Sequence, residues 1–150
     1  MCIRDSHNID LIVVDYLQLL MTSSKAPSNS DSRAASMSYI SNLLKGLAKD
    51  IGCPLISLSQ LNRGVEARTD KRPVLSDLRD SGSIEQDADM VIMLYRQEYY
   101  DALDTGLAEV IIRKNRLGET GDFELGFDGS KSRFTDPEEA AFGRKENGPI

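Results

Sequence analysis

The stretch that decides the fold is residues 11–20, which read Leu-Ile-Val-Val-Asp-Tyr-Leu-Gln-Leu-Leu. Its first four residues are apolar without alternation, which predicts a strand covered on both faces, as in a parallel sheet. Asp15 then stands at the carboxyl end of that strand, where open α/β sheets bind their ligands. Its carboxylate is a suitable ligand for Mg²⁺. An aspartate that only caps a loop would look the same, so this stretch alone leaves both interpretations open.

A helix and a second strand follow. Apolar residues recur at three- and four-residue steps over residues 34–51, which predicts an amphipathic helix that Asp31 or Ser32 caps. Residues 54–59 are a short apolar run that ends at Gln60. A strand, helix and strand of this size form a crossover unit, so the two strands are predicted to be parallel.

The rest of the chain predicts a long loop and a set of further strands. Residues 61–76 are polar and basic, and loops of that length are usually functional or disordered. Residues 90–95 predict a third buried strand, and three shorter strands follow between residues 108 and 134, with a hairpin at Asp128. The predicted fold class is α/β: a parallel sheet with helices and a C-terminal antiparallel edge.

Composition narrows the class of protein. Hydrophobic residues make up 40% and charged residues 28%, as in soluble globular proteins, and no apolar run reaches the roughly 18 residues that span a membrane. Cys2 and Cys53 form no CxxC pair, which fits a cytoplasmic protein. His7 is the only histidine, so a serine-histidine-aspartate triad and a four-ligand zinc site are excluded.

The net charge of −6 conceals two basic clusters. The first falls in the loop region and comprises Arg63, Arg68, Lys71, Arg72 and Arg79. The second comprises Arg113, Lys114 and Arg116. A basic loop on an acidic protein can still hold phosphates.

Three polar positions follow predicted strands: Asp15, Gln60 and the group Lys114 to Arg116. The Gln60 amide can touch both a phosphate and a water, and the planar charge of Arg116 can stabilise a transferring phosphoryl group. Taken singly, Gln60 fits an ordinary loop hydrogen bond and the basic group fits a solvated turn. Together, on three strand ends of one sheet, they favour nucleotide chemistry.

Residues 75–86 suit the backbone of single-stranded nucleic acid. Gly82 lets another backbone approach closely, and Arg79 offers a charged fork. The N–H groups that open the turn at Ser83 can face an anion. A helix-capping segment with incidental charge is the alternative.

These motifs resemble the replicative DNA helicases of the DnaB type. Residues 11–19 resemble their Walker B segment, residues 57–63 the next motif, and residues 71–89 their DNA-loop motif. Residues 111–118 resemble the arginine-finger motif, and residues 132–134 the closing strand. The resemblance runs in one order from Asp10 to Asp136.

The resemblance implies a RecA-like P-loop ATPase core, a homohexameric ring and ATP-driven translocation on single-stranded DNA, with primase and a helicase loader as partners. It implies that Asp15 holds Mg²⁺ and that Gln60 contacts the γ-phosphate. Lys114 and Arg116 would reach the ATP of the neighbouring subunit. The DNA backbone would be contacted by Arg79, Asp80 and Gly82, with Asp80 acting through its main-chain amide because it replaces an expected glutamate.

The sequence departs from this family in what it lacks. No GxxxxGK[ST] phosphate loop occurs in the 150 residues, and the family's upstream catalytic glutamate and N-terminal primase-interacting domain are not recognisable. We expect residues 1–8 to be a non-matching leader, residues 9–136 the C-terminal portion of an incomplete motor domain, and residues 137–150 a disordered tail. Such a fragment should not hydrolyse ATP alone. A recombinase-type ATPase and a non-enzymatic nucleic-acid-binding module remain as alternatives.

Overall fold

A computed structural model describes residues 9–22, 30–101 and 105–137 of the chain. The predicted leader and residues 138–150 of the predicted tail lie outside these described residues. The chain divides into two compact units, residues 1–88 and residues 89–150. Among the described helices, none is both long enough and apolar enough to cross a membrane.

The first unit contains the predicted crossover. Its elements are β1 (Ile12–Val14), α1 (Leu17–Thr22), α2 (Ser30–Ile51), β2 (Leu55–Ser57) and α3 (Gly82–Asp87). β1 and β2 pair in parallel, with Val13 opposite Ile56, which confirms the parallel strand-helix-strand unit. α2 begins at Ser30, so Asp31 and Ser32 belong to its first turn, and the prediction that either one caps it is wrong.

The core of this unit lies where the three helices meet β1. Leu17, Met37 and Ile84 are buried there, and Val14 is among the partly buried residues that pack against them. Burying one such side chain stabilises a fold by about 1.5–3 kcal/mol. Ile84 therefore attaches α3, and the chain just before it, to the same helices that follow β1.

The second face of the β1–β2 pair is exposed within the described chain. Val13 on β1 and Ile56 on β2 are 58% and 51% exposed. The prediction of a strand covered on both faces is therefore wrong for the part of the chain that is described. Two strands alone leave one apolar face without a packing layer.

The second unit is a four-stranded antiparallel sheet in the order β3-β4-β5-β6. Its strands are β3 (Met90–Tyr95), β4 (Leu107–Asn115), β5 (Gly121–Asp128) and β6 (Arg133–Thr135). The predicted antiparallel C-terminal edge is thereby confirmed. β3 was expected to be fully buried, but its side chains alternate: Val91 and Met93 are buried, whereas Ile92 is 53% exposed.

The hairpin between β5 and β6 gives a prediction for pH dependence. Hydrogen bonds from the Ser130 hydroxyl, at 2.6 Å, and from Lys131 Nζ, at 2.9 Å, lower the pKa of Asp128 from 3.8 to about 2. Because the folded-state pKa is depressed, the stabilisation is complete above pH 3.8 and is lost as the pH falls through about 2. NMR titration of the Asp128 carboxyl checks this value, and a midpoint near 4 would contradict it.

Candidate functional site

The parallel register places two predicted site residues at one edge of the β1–β2 pair. Asp15 directly follows β1, and Gln60 lies three residues after the end of β2. Two further backbone bonds extend the pairing toward them, since Leu58 N–H donates to the Val14 carbonyl and Leu17 N–H donates to the Leu58 carbonyl, both at 2.9 Å. Asp15 and Gln60 are both exposed at this edge.

Gln18 connects these two segments, and the sequence analysis did not select it. Its Nε2 donates to Ser59 Oγ at 3.0 Å and to the Gln60 carbonyl at 3.2 Å, and its Oε1 accepts from Gln60 N–H at 3.3 Å. The available signal was its position three residues after Asp15, within the stretch that decides the fold.

The donor set at this edge fits one metal ion with restrictions. Among the described residues, no group of three or more His, Cys, Asp or Glu side chains is placed to hold a metal. Mg²⁺ is commonly bound through one or two carboxylates together with waters and substrate phosphates. Asp15 therefore suits a Mg²⁺ ion that arrives with a nucleotide, and it does not form a metal site of its own.

The long loop after β2 is closed on itself. Asn62 N–H donates to the Asp77 carbonyl at 2.9 Å, which ties the start of the loop to its end. The predicted structureless loop contains two short 3-10 helices, Arg63–Ala67 and Leu75–Ser81. The Asn62 side chain caps the first of them by accepting from Gly64 N–H at 2.9 Å.

Arg68 crosses the inside of this loop. Its guanidinium makes two bonds to the Asp77 carboxylate, at 3.2 and 2.8 Å, and a third to the Arg72 carbonyl at 2.8 Å. Asp77 is buried and also accepts from Val74 N–H. Arg68 was counted in the basic cluster, but its charge is engaged within the loop because it neutralises a buried carboxylate.

The segment predicted to contact nucleic acid follows this closed loop. The backbone of Arg79 and Asp80 belongs to the second 3-10 helix, and their side chains lie outside the described part of the chain. Gly82 opens α3 in the ordinary right-handed region, with φ −53° and ψ −28°. A Cβ added at Gly82 would meet no atom within 4 Å in the described chain. The fold itself therefore does not require glycine at this position.

The two basic candidates of the second unit lie at the end of β4. Lys114 is inside the strand, which continues to Asn115, and Arg116 follows it directly. Arg116 N–H donates to the Asp89 carbonyl at 2.8 Å, and its Nη1 lies 3.0 Å from the Asp89 carboxylate. Both side chains are about half exposed, at 52% and 56%. An ion pair this exposed contributes only about 0–1 kcal/mol, so Arg116 can leave it at little cost.

The prediction that all three positions lie on one sheet is wrong in this structure. Asp15 and Gln60 belong to the parallel β1–β2 pair, whereas Lys114 and Arg116 belong to the antiparallel sheet of the second unit. The reason is the pairing of β3, which bonds to β4 in the described chain and not to β1 or β2.

Known proteins give a consistent match to this arrangement. The model of the DnaB-like helicase C terminal domain family matches residues 2–136. A replicative DNA helicase DnaB of Haemophilus influenzae is 50% identical over 133 residues, which cover 87% of this chain and 28% of that protein. The chain thus spans somewhat more than a quarter of the length of this curated relative.

Two solved structures are similar in fold. The first, an isolated ATPase domain, superposes with a TM-score of 0.78 and 41% identity, covering 89% of this chain and 47% of that chain. The second, a DnaB-like replicative helicase solved to show its interactions with primase, superposes with a TM-score of 0.77 and 42% identity. That match covers 89% of this chain and 32% of the other.

Proposed function

The chain belongs to the DnaB-like helicase C-terminal domain family, and on that premise we propose that it is part of a replicative DNA helicase motor. The motor couples ATP hydrolysis to translocation on single-stranded DNA and to unwinding of the duplex. The observation that carries the proposal is the shared edge of the β1–β2 pair, where the parallel register brings Asp15 and Gln60 together. We place the protein in the cytoplasm, where bacterial DNA is replicated.

ATP and Mg²⁺ are the proposed cofactors at this edge. The metal ion would neutralise charge on the phosphates of the nucleotide. Asp15 would hold it, directly or through a water. Gln60 would contact the γ-phosphate and report its presence to the loop that follows, since the chain runs from Gln60 into the closed loop at Asn62.

Lys114 and Arg116 are proposed to act on the ATP of a neighbouring subunit in a homohexamer. Both lie at the end of one strand, so a rigid element carries them. The weak surface pair with Asp89 keeps Arg116 extended at this end until a phosphate competes for it. Primase and a helicase loader are further proposed partners, through parts of the protein other than these residues.

Arg79, Asp80 and Gly82 are proposed to contact the backbone of single-stranded DNA. Two features of the described chain support this role. The segment directly follows the loop that Arg68 and Asp77 close, and Ile84 attaches α3 to the core of the first unit. A rigid mount of this kind suits a segment that must transmit force to DNA.

The 150 residues contain no GxxxxGK[ST] loop, so we do not expect them to hydrolyse ATP by themselves. The test therefore uses a chimera, in which residues 9–137 replace the matched segment of the Haemophilus influenzae helicase. The chimera should unwind a forked duplex when ATP and Mg²⁺ are present. DNA-stimulated ATPase activity without processive unwinding would favour the recombinase-type alternative, and DNA binding without any ATPase activity would favour the non-enzymatic one.

Substitution of Gly82 tests the DNA contact separately from the fold. Gly82→Ala fits the observed φ and ψ and should stabilise the protein by about 0.4–1 kcal/mol, because alanine restricts the unfolded chain. If DNA backbone approaches this position, the added methyl group should weaken single-stranded DNA binding by about tenfold, the loss of one hydrogen bond to a charged group. Fluorescence anisotropy at several salt concentrations measures both the affinity and its salt dependence.

The matched control is Gly46→Ala in α2, where an added Cβ also meets no atom within 4 Å in the described chain. It should raise stability by about 1 kcal/mol and leave DNA affinity unchanged. The salt dependence should be the same in both variants, because neither removes a cation that contacts phosphate. Equal DNA affinity of Gly82→Ala and wild type would contradict the proposed contact.

A further inference from the structure

The side chain of Gln18 extends the β1–β2 pairing beyond the last backbone bonds. The strands are joined as far as Leu58, whose N–H and carbonyl bond to Val14 and Leu17. The chain then turns into α1 and has no backbone to offer opposite Gln60. The Gln18 amide takes that place, since it accepts from the Gln60 N–H and donates to the Gln60 carbonyl.

This contact has the geometry of a strand partner. A primary amide carries one donor group and one acceptor group on the same carbon, which match the N–H and C=O of a single residue. Gln18 uses both of them on Gln60, at 3.3 and 3.2 Å, and Nε2 also reaches Ser59 Oγ at 3.0 Å. The main chain of Gln60 is therefore held at two points by one side chain.

Gln18 is itself firmly placed. Its neighbour Leu17 is 1% exposed in the core, and Leu17 N–H is bonded to the Leu58 carbonyl. Asp15 lies three residues before Gln18 in the same turn into α1. A displacement of the Gln60 main chain would thus be passed to the segment that carries Asp15, and the reverse also holds.

We propose that Gln18 is a positioning residue, which holds the Gln60 main chain so that the Gln60 side chain meets the γ-phosphate at the edge shared with Asp15. This inference rests on the proposed function, because it assigns Gln18 a role at the same nucleotide site. It assigns Gln18 no contact with the nucleotide. The effect of removing Gln18 should accordingly appear in the rate of reaction and not in the binding of ATP.

The first test needs no ATPase activity. Gln18→Met in the chimera keeps the length of the side chain and removes its hydrogen bonds. Hydrogen-deuterium exchange, read on the peptide that contains Gln60, should become up to about tenfold faster, which corresponds to the loss of a typical net hydrogen bond. Ser59→Ala is the control, because it removes only the Ser59 contact and should leave exchange at Gln60 unchanged. Unchanged exchange in Gln18→Met would overturn the proposal.

The second test separates positioning from a general structural defect. Gln18→Met should lower kcat for DNA-stimulated ATP hydrolysis by about 10- to 100-fold while KM for ATP and the melting temperature stay near wild type. Ser59→Ala should keep most of the wild-type kcat. A Gln18→Met variant with wild-type kcat, or with kcat and melting temperature reduced together, would overturn the role. If the unsubstituted chimera hydrolyses no ATP, the proposed function fails, and the exchange experiment still decides whether Gln18 holds Gln60.

Discussion

Arg116→Ala should reduce ATP hydrolysis by the hexameric chimera by on the order of 10³-fold, while ATP still binds. The guanidinium is expected to stabilise charge on the phosphoryl group in the transition state, an interaction that binding of the ground state does not need. Steady-state ATPase assays and the binding of a fluorescent ATP analogue measure the two effects separately. Arg116→Lys should also remain well below wild type, because an ammonium group lacks the planar fork of arginine.

Two controls isolate the finger role from the local structure. Asp89→Asn removes the ion pair with Arg116, at 3.0 Å, but leaves the arginine in place. Because that pair is half exposed and weak, Asp89→Asn should retain ATPase activity near the wild-type level. Arg113→Ala removes an arginine from the same strand, one whose guanidinium is bonded to Asp122 at 2.7 Å. Its ATPase activity should also stay near wild type.

Mixing subunits shows whether Arg116 acts on its own nucleotide or on that of its neighbour. In hexamers that combine Arg116→Ala subunits with subunits unable to bind ATP, a finger acting across the interface leaves some sites with a complete set of groups. ATPase activity should then exceed that of either parent alone. ATPase at the wild-type level in Arg116→Ala would rule out the finger assignment altogether.

The sequence predicted the local elements well because their patterns are local. The parallel strands around α2, the helix at residues 82–87 and the C-terminal hairpin were all expected from periodicity and turn residues. The expectation of a RecA-like ATPase fold is confirmed by two superpositions, both with TM-scores above 0.7. The burial of β1 and β3 was wrong for the described chain, because an apolar run predicts a strand but not which layers cover it.

The contacts that organise the candidate site were not predictable in the same way. Gln18 bonds to residues 41 and 42 positions away, and Arg68 spans a loop to reach Asp77. Neither side chain has a pattern that names its partner, since a glutamine after a strand and an arginine in a loop both fit solvent exposure. Only the closed geometry of the chain shows that Arg68 neutralises a buried carboxylate and does not face a phosphate.

Asp15→Asn should lower Mg²⁺-dependent ATP hydrolysis by about 10- to 100-fold, the range for a group that acts on a metal directly or through a bound water. The substitution keeps the shape of the side chain and removes only its negative charge. The concentration of Mg²⁺ needed for half-maximal activity should rise, since an amide oxygen is a weaker ligand than a carboxylate for this ion. A titration of ATPase activity with Mg²⁺ measures both changes.

The matched control lies at the other end of the same strand. Asp10 is an exposed aspartate that precedes β1, whereas Asp15 follows it. Asp10→Asn changes the net charge by the same amount but acts at the amino end of the strand, away from the edge that Asp15 shares with Gln60. Its Mg²⁺ dependence should match wild type. Equal Mg²⁺ titrations for all three proteins would show that Asp15 only terminates a strand, and the metal-holding role would then have to be withdrawn.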